Sequence, residues 1–213
     1  DTPTTIVSNL KDDGYTCIAM HPYYETGWSR NLVYPHIGFD EMHFIDYFDQ
    51  TKILREYITD QELYDKIIKR YENRKNNEKL FFMGITMQNH GGYTETYDNF
   101  PENYYKVGRS YTDANQYLSL VHESDEAVKN LISYFSKVDD PVEIIFFGDH
   151  QPSLNSNFYP ILNGKGLTGL TEDELEKLYT VPFFIWTNYD TPEETVDITS
   201  LDYLSTMALE LSL

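Results

Sequence analysis

Three apolar segments of this chain each lead, within a few residues, into a histidine. The segments are residues 15–20, 80–86 and 143–147, and the histidines are His21, His90 and His150. If the segments are neighbouring parallel strands, the histidines gather at the carboxyl edge of one sheet, where open α/β sheets bind their ligands. Histidines that converge with an aspartate at such an edge are typical of a metal-assisted site for an anionic group.

Asp149 and His150 are the sharpest local signal in the sequence. They follow Gly148, whose conformational freedom lets both side chains turn toward one cation. A carboxylate and an imidazole suit Mn²⁺ or Zn²⁺, with Mg²⁺ less favoured. Two ligands hold a divalent ion poorly, so at least one more must come from elsewhere. The alternative interpretation is an exposed turn after a strand.

Four other residues are candidates for binding the anionic group. His90 lies in a turn followed by two glycines, where backbone amides can approach an anion, and His21 begins a His-Pro turn. Trp28 offers a planar apolar wall, and the forked guanidinium of Arg30 can bond a phosphate bidentately. Each has a structural alternative: loop histidines held by hydrogen bonds, and a packed loop that carries a surface arginine.

Size and charge restrict the class of protein. The chain has 213 residues, of which 40% are hydrophobic and 15% aromatic, enough for one domain with a sizeable core. Its formal charge of −19 argues against nucleic acid or a bare anionic membrane as the main partner. An anionic small substrate then requires a metal or a local cluster of His and Arg. The single cysteine, Cys17, excludes an internal disulfide, and we predict that it is a buried apolar residue.

Hydrophobic periodicity predicts strands that alternate with helices. The predicted strands are residues 15–20, 80–86, 143–147 and 181–187, and the predicted helices are 4–11, 60–74, 113–137, 171–178 and 200–211. Residues 22–48 are predicted to be a long aromatic loop. Thr171, with Glu174 three residues later, matches a capping box. The alternation predicts an α/β fold with a mostly parallel sheet flanked by helices, of the doubly wound type.

Further short motifs follow one another along the chain. They are Asp12-Asp13-Gly14-Tyr15, His21, Trp28-Ser29-Arg30, Tyr34, Gly38-Phe39-Asp40, Met87-Gln88-Asn89-His90-Gly91-Gly92-Tyr93, Gly148-Asp149-His150-Gln151-Pro152 and Ser200-Leu201-Asp202-Tyr203-Leu204-Ser205-Thr206. In this order they resemble the lipoteichoic acid synthase-like branch of the sulfatase/alkaline phosphatase superfamily. The resemblance implies a fold of that type, truncated at its N-terminus, with residues 1–213 as the C-terminal part of a catalytic domain.

The resemblance also implies a function. Members of this branch are extracytoplasmic, membrane-anchored bacterial transferases that move phosphoglycerol from an anionic phospholipid head group to a glycolipid or growing polymer. It implies Asp149 and His150 as ligands of Mn²⁺, with Mg²⁺ or Zn²⁺ as further candidates. It implies four substrate-binding residues: His21, Trp28, Arg30 and His90.

The family's catalytic nucleophile is a threonine that forms a phospho-enzyme intermediate. By resemblance, this threonine and a glutamate metal ligand lie upstream of the chain. Thr4 and Thr5 fall on the predicted first helix, which is the wrong place for the nucleophile. We therefore expect no catalytic nucleophile within the chain, inactivity of the chain alone, and membrane attachment through a preceding region.

Two other interpretations stay open at the level of sequence. One keeps the fold but makes the protein a sulfatase- or phosphatase-type hydrolase, although Trp28 and Arg30 favour the transferase. The other is a non-catalytic domain that binds anionic polymer. The pairs Tyr23-Tyr24 and Tyr104-Tyr105 fit either a glycan or lipid-head groove or ordinary packing.

Overall fold

The computed structural model describes residues 4–100 and 111–211, so Tyr104-Tyr105 lies outside the described residues. Helices α1 to α7 are Ile6–Asp12, Arg30–Ile37, Asp60–Glu72, Thr112–Phe135, Tyr159–Asn163, Glu172–Glu176 and Leu204–Leu211. Strands β1 to β7 are Tyr15–Met20, Glu41–His43, Ile53–Leu54, Tyr57–Ile58, Lys79–Gly84, Glu143–Phe147 and Phe183–Thr187. The chain divides into two compact units, Asp1–Leu131 and Ile132–Leu213.

Strand β1 is the centre of the parallel sheet in the first unit. It pairs in parallel with β2 on one side and with β5 on the other. Ile18 and Met20 of this strand are fully buried, as a central parallel strand requires. The predicted range of β1 is confirmed, and β5 covers residues 79–84 where 80–86 was predicted.

The single cysteine lies in the middle of this strand. Cys17 has no exposed surface, which confirms the prediction that it is a buried apolar residue. Burial, reinforced by the nearby Asp40 carboxylate, raises the pKa of its thiol to about 11.

Capping side chains begin two of the predicted helices. The Thr5 hydroxyl accepts a hydrogen bond from the Ser8 amide, and the Ser8 hydroxyl bonds back to the Thr5 backbone, which gives α1 a complete capping box. Thr171 and Glu174 form the capping box predicted at α6. Thr5 therefore has a structural role at the helix start.

The prediction of a loop over residues 22–48 is wrong in part. This segment contains α2 as well as strand β2 and two short 3₁₀ helices. Helix α2 escapes the periodicity test because it carries a proline, Pro35, and exposes Leu32 and Val33 while burying only Tyr34. An apolar face at helical spacing is therefore absent from its sequence.

The second unit also differs from the neighbouring parallel strands expected from sequence, because among the described residues β6 pairs with β7 and not with β1 or β5. Strands β6 and β7 pair antiparallel, with Ile145 opposite Ile185. Both are short apolar runs, which do not specify the direction of a neighbour, and residues 148–182 are a long enough connection for either direction. The α/β class with a parallel main sheet is confirmed. Among the helices of the described residues, none has the length and apolar character that crossing a membrane would need.

Candidate functional site

The structure brings together the four residues predicted to bind substrate, all within the first unit. The ring of Trp28 lies 5.8 Å from that of His21 and 6.0 Å from that of His90, centroid to centroid. The guanidinium carbon of Arg30 lies 4.4 Å from the Trp28 ring centroid. Trp28 is thus the centre of a cluster drawn from the ends of two adjacent parallel strands and the loop after β1.

Backbone strain presents Trp28 to solvent. Trp28 and Ser29 have φ angles of +52° and +56°, in the left-handed region. Each such residue costs about 1–2 kcal/mol relative to an ordinary conformation. Trp28 stays 58% exposed, and a Cβ at Gly27 would approach the Tyr23 ring to 3.1 Å. Two strained residues together, next to a glycine that admits Tyr23, are typical of a functional loop.

His21 is the buried member of the cluster. Its Nδ1 lies 2.9 Å from the Ile85 carbonyl oxygen, so Nδ1 carries the proton and donates. Its Nε2 is buried and has no hydrogen-bond partner among the described residues. Burial, helped by the charge of Arg30, lowers the pKa of His21 to about 4. At neutral pH His21 therefore offers an unsatisfied acceptor, suited to a ligand hydroxyl rather than to a bare anion.

Sequence reasoning missed two further members of this cluster, Tyr57 and Arg55. The Tyr57 ring lies 5.7 Å from that of His90 and 6.3 Å from that of Tyr23. The Arg55 guanidinium donates to the carbonyl oxygen of His90 at 2.8 Å. Neither residue belongs to a motif. The one signal was an arginine two residues before a tyrosine, a pattern that is common on protein surfaces.

Asp149 and His150 lie in the second unit, in the turn after β6. Their side chains are 83% and 75% exposed. The Gly148 amide donates to the Pro182 carbonyl at 3.1 Å, and a Cβ at Gly148 would lie 3.1 Å from the Val181 Cβ. Gly148 is therefore required by the close approach of the segment that leads into β7, as well as by the conformational freedom that the turn needs.

The donor atoms of this pair fit a divalent cation. The Nδ1 of His150 lies 3.0 Å from the Gln151 carbonyl oxygen, to which it can donate, so Nε2 keeps its lone pair for a metal. That Nε2 lies 3.4 Å from Asp149 Oδ2. In a tetrahedral site with metal–ligand bonds of about 2.1 Å, two donor atoms lie about 3.4 Å apart, which matches the distance between these two atoms.

The pair alone does not make a complete site. Residues 4–100 and 111–211 contain no group of three or more His, Cys, Asp or Glu side chains arranged to hold a metal. Asp149 and His150 therefore fit as two ligands of a site that needs at least one more donor.

Comparison with known proteins agrees with the motifs. The chain matches the Sulfatase family over residues 1–211. A lipoteichoic acid synthase of Staphylococcus saprophyticus is 30% identical over 146 residues, which are 66% of this chain and 22% of that protein. The chain spans about a fifth to a third of the length of the curated relatives it matches.

Two solved structures share the fold. The lipoteichoic acid synthase LtaP from Listeria monocytogenes matches with a TM-score of 0.70 at 21% identity, over 86% of this chain and 46% of that one. The phosphoglycerol transferase GacH of Streptococcus pyogenes, solved with sn-glycerol-1-phosphate, matches with a TM-score of 0.61 at 25% identity. The match covers 82% of this chain and 44% of GacH. This chain therefore belongs to the sulfatase family, in its lipoteichoic acid synthase-like branch.

Proposed function

We propose that this chain carries the donor-binding part of a phosphoglycerol transferase. The parent enzyme would be membrane-anchored and extracytoplasmic, and would move phosphoglycerol from a phospholipid to a cell-envelope polymer or glycolipid. The observation that supports the proposal best is the gathering of His21, Arg30 and His90 around the exposed ring of Trp28. It is also supported by the relationship to lipoteichoic acid synthase and to a phosphoglycerol transferase solved with a glycerol phosphate.

Each residue of the cluster has a distinct task in this proposal. The Nε of Arg30 donates to the Tyr34 hydroxyl at 2.8 Å, which fixes the guanidinium and leaves Nη2 unused by any hydrogen bond in the described residues. Nη2 and the His90 imidazole would donate to phosphate oxygens. The orphan Nε2 of His21 would accept a hydrogen bond from a glycerol hydroxyl. The Trp28 ring would cover the carbon atoms of glycerol.

The proposed reaction proceeds in two displacements at phosphorus. The hydroxyl oxygen of a threonine outside this chain forms a bond to phosphorus while the bond from phosphorus to the lipid oxygen breaks, and diacylglycerol leaves with a proton. The oxygen of an acceptor hydroxyl then forms a bond to phosphorus while the bond from phosphorus to the threonine oxygen breaks, and the proton lost by the acceptor returns to threonine. A divalent cation such as Mn²⁺, held in part by Asp149 and His150, would neutralise charge on the phosphoryl oxygens.

One feature favours glycerol phosphate over a simple sulfate or phosphate group. A bare, fully ionised oxyanion has no hydrogen to donate, so it would leave the buried Nε2 of His21 unsatisfied. A glycerol phosphate carries hydroxyl groups that can supply this donor. A domain that binds anionic polymer through charge alone gains nothing from such an acceptor.

Tryptophan fluorescence tests the proposal on this chain, which has two tryptophans. In a Trp186→Phe variant the emission comes from Trp28 alone, and sn-glycerol-1-phosphate should change it saturably. Arg30→Ala should weaken binding by about 10- to 150-fold, since a lost hydrogen bond to a charged group costs about 1.5–3 kcal/mol. The matched control is Arg74→Ala, another arginine packed on an aromatic ring, at 3.9 Å from Tyr71; its affinity should be unchanged.

The outcomes separate the proposed transferase from the hydrolase. Absence of a saturable change, or equal weakening by the two arginine substitutions, would refute the proposed donor site. Inorganic sulfate that binds as tightly as glycerol phosphate would favour the hydrolase.

A further inference from the structure

Arg55 is a buried cation in the turn between β3 and β4. Its exposed fraction is 5%, and its φ angle is +55°. Burying an ionised side chain is unfavourable unless other groups compensate the charge. Among the described residues no carboxylate forms an ion pair with Arg55, although this chain is strongly acidic. The adjacent Glu56 contributes a favourable charge without forming an ion pair, and Arg55 Nε has no hydrogen-bond partner among the described residues. Dipoles must therefore supply the close contacts that compensate the charge.

Those dipoles are the carbonyl groups of the loop that carries His90. Arg55 Nη2 donates to the carbonyl oxygens of Gln88 at 2.9 Å and His90 at 2.8 Å, and Nη1 donates to that of Gly92 at 2.9 Å. Nη1 also donates to Gln116 Oε1 at 3.1 Å. Three alternate carbonyls of one loop thus point at a single guanidinium. Because C=O and N–H of a trans peptide point in opposite directions, the amides that follow these carbonyls face away from Arg55.

Aromatic rings complete the surroundings of this cation. The guanidinium carbon lies 5.4 Å from the ring centroid of Tyr93, 5.7 Å from that of Tyr57 and 6.0 Å from that of Tyr97. Ring faces attract a cation electrostatically, and the attraction is stronger when both partners are removed from water. The rings and carbonyls together explain how an unpaired arginine is tolerated at this position.

Tyr57, two residues after Arg55, acts on the side chain of His90. Its hydroxyl oxygen lies 3.4 Å from His90 Nδ1, and its ring contacts the imidazole edge-on at 63°. Desolvation, together with the neighbouring Tyr23, raises the pKa of Tyr57, so the hydroxyl stays protonated and can donate. The hydroxyl can either donate to Nδ1 or accept from an Nδ1–H at this distance. Where Tyr57 donates, Nδ1 is unprotonated and the proton of a neutral His90 lies on Nε2.

We infer that the β3–β4 hairpin positions His90: Arg55 holds the backbone of the loop, and Tyr57 holds the ring and sets its tautomer. The hairpin thereby presents an Nε2–H donor beside Trp28. We assign both as positioning residues, because each acts through its contact with His90. That the donor meets a phosphate rests on the proposed function, whereas the placement and tautomer of His90 do not.

NMR of the histidine side chains in the full 213-residue chain tests the inference. Trp28 and Tyr57 should shift the His90 ring protons by their ring currents, and long-range ¹H–¹⁵N spectra should show the Nε2–H tautomer. Arg55→Lys keeps the positive charge but cannot bond several carbonyl groups of the His90 loop at once. His90 should then leave its position beside Trp28 and Tyr57, and its ring-current shifts should largely disappear. The affinity of the variant for sn-glycerol-1-phosphate should fall by about tenfold or more, the effect of a lost hydrogen bond to a charged group.

The matched control is Arg70→Lys in the same unit. Arg70 bonds Glu41 and Glu78 through its fork and makes no contact with the His90 loop. Both substitutions should lower the melting temperature, but only Arg55→Lys should move the His90 signals. Unchanged His90 signals in a folded Arg55→Lys variant, or an Nδ1–H tautomer in the wild type, would overturn the inference.

Tyr57→Phe keeps the inference testable if Arg55→Lys does not fold, because it removes a single oxygen. We expect a mixture of both His90 tautomers, and an unchanged tautomer would overturn the role of Tyr57. If the wild type shows the expected His90 signals but does not bind glycerol phosphate, the proposed function fails and the positioning role stands.

Discussion

The cluster around Trp28 and the Asp149-His150 pair differ in how the chain holds them. His21 is 1% exposed, whereas Asp149 and His150 are 83% and 75% exposed. The cluster is fixed by ring contacts, by buried hydrogen bonds and by strained backbone, so this chain alone sets its geometry. The pair depends on a glycine turn and two adjacent residues. The geometry of the cluster is therefore set within this chain, whereas the exposed pair would need further ligands to hold a metal.

Substitution in the exposed Asp149-His150 pair should change metal binding more than any other substitution changes its own property. Mn²⁺ should bind this chain only weakly, in the millimolar range, because two donors make an incomplete site. Asp149→Ala should abolish that binding, and in a parent protein with a complete site it should lower turnover by about a thousandfold. The free energy of unfolding should stay within about 0.5 kcal/mol of wild type, as for other exposed positions. Titration calorimetry and urea unfolding measure the two quantities.

An exposed aspartate of the same unit provides the control. Asp190→Ala removes the same charge but should leave Mn²⁺ binding intact. Micromolar Mn²⁺ binding that is lost in Asp149→Ala would mean that the chain holds a complete metal site. The Asp149-His150 pair would then be as pre-organised as the cluster around Trp28.

The second prediction tests the buried polar network that joins Asp60 to Ser124 and to Gln88, in the loop that carries His90. The Asp60 amide donates to Gln88 Oε1 at 3.1 Å, and its carboxylate accepts from Ser124 Oγ at 2.6 Å. Burial raises the pKa of Asp60 to about 6, and Oδ1 has no partner among the described residues. The folded chain therefore holds this proton more tightly than the unfolded chain, so this contribution to stability falls as pH rises from about 4 to 6.

Asp60→Asn removes that dependence, since an amide does not ionise. At pH 8 the variant should be more stable than wild type by on the order of 2 kcal/mol, and at pH 3.5 the two should be equal. Asp65→Asn, an exposed aspartate on the same helix, should change stability little at either pH. Urea unfolding over this pH range measures the difference, and a gain that does not depend on pH would contradict the assignment to Asp60 ionisation.

The smallest effect concerns backbone strain at the cluster. Ser29→Gly should raise the free energy of unfolding by up to about 1 kcal/mol, because glycine adopts the left-handed conformation without a penalty. It should also weaken glycerol phosphate binding several-fold, since Trp28 becomes less firmly held. Asn77→Gly relieves a φ of +59° outside the cluster and should leave binding unchanged. Thermal unfolding measures the change in stability, and Trp28 fluorescence measures the affinity for glycerol phosphate. Equal affinities in both variants would mean that the strained backbone at Ser29 does not contribute to binding.

Sequence reasoning predicted the elements that rest on local patterns. Strand β1 is a buried apolar run, and α6 begins at a capping box, so both are visible within a few residues. Helix α2 lacks an apolar face, and the direction of β7 depends on pairing rather than on its own composition. These two features therefore differ from the prediction for the same reason: tertiary contacts decide them.

The candidate site divides in the same way. Asp149 and His150 are neighbours in sequence, Trp28 and Arg30 belong to one motif, and His21 directly follows strand β1. Arg55 acts on a loop that begins 33 residues later, at Gln88, and nothing in its local sequence marks that contact. Positioning residues of this kind emerge only when distant segments are packed together.

The burial of Cys17 has a practical consequence. At neutral pH its thiol is protonated and out of reach of solvent, so the chain behaves toward maleimides and mild oxidants as if it had no cysteine. A cysteine introduced at exposed Thr26 would then be the single site for attaching a fluorophore or spin label. The loop that presents Trp28 can therefore be followed directly, with no background substitution in the core.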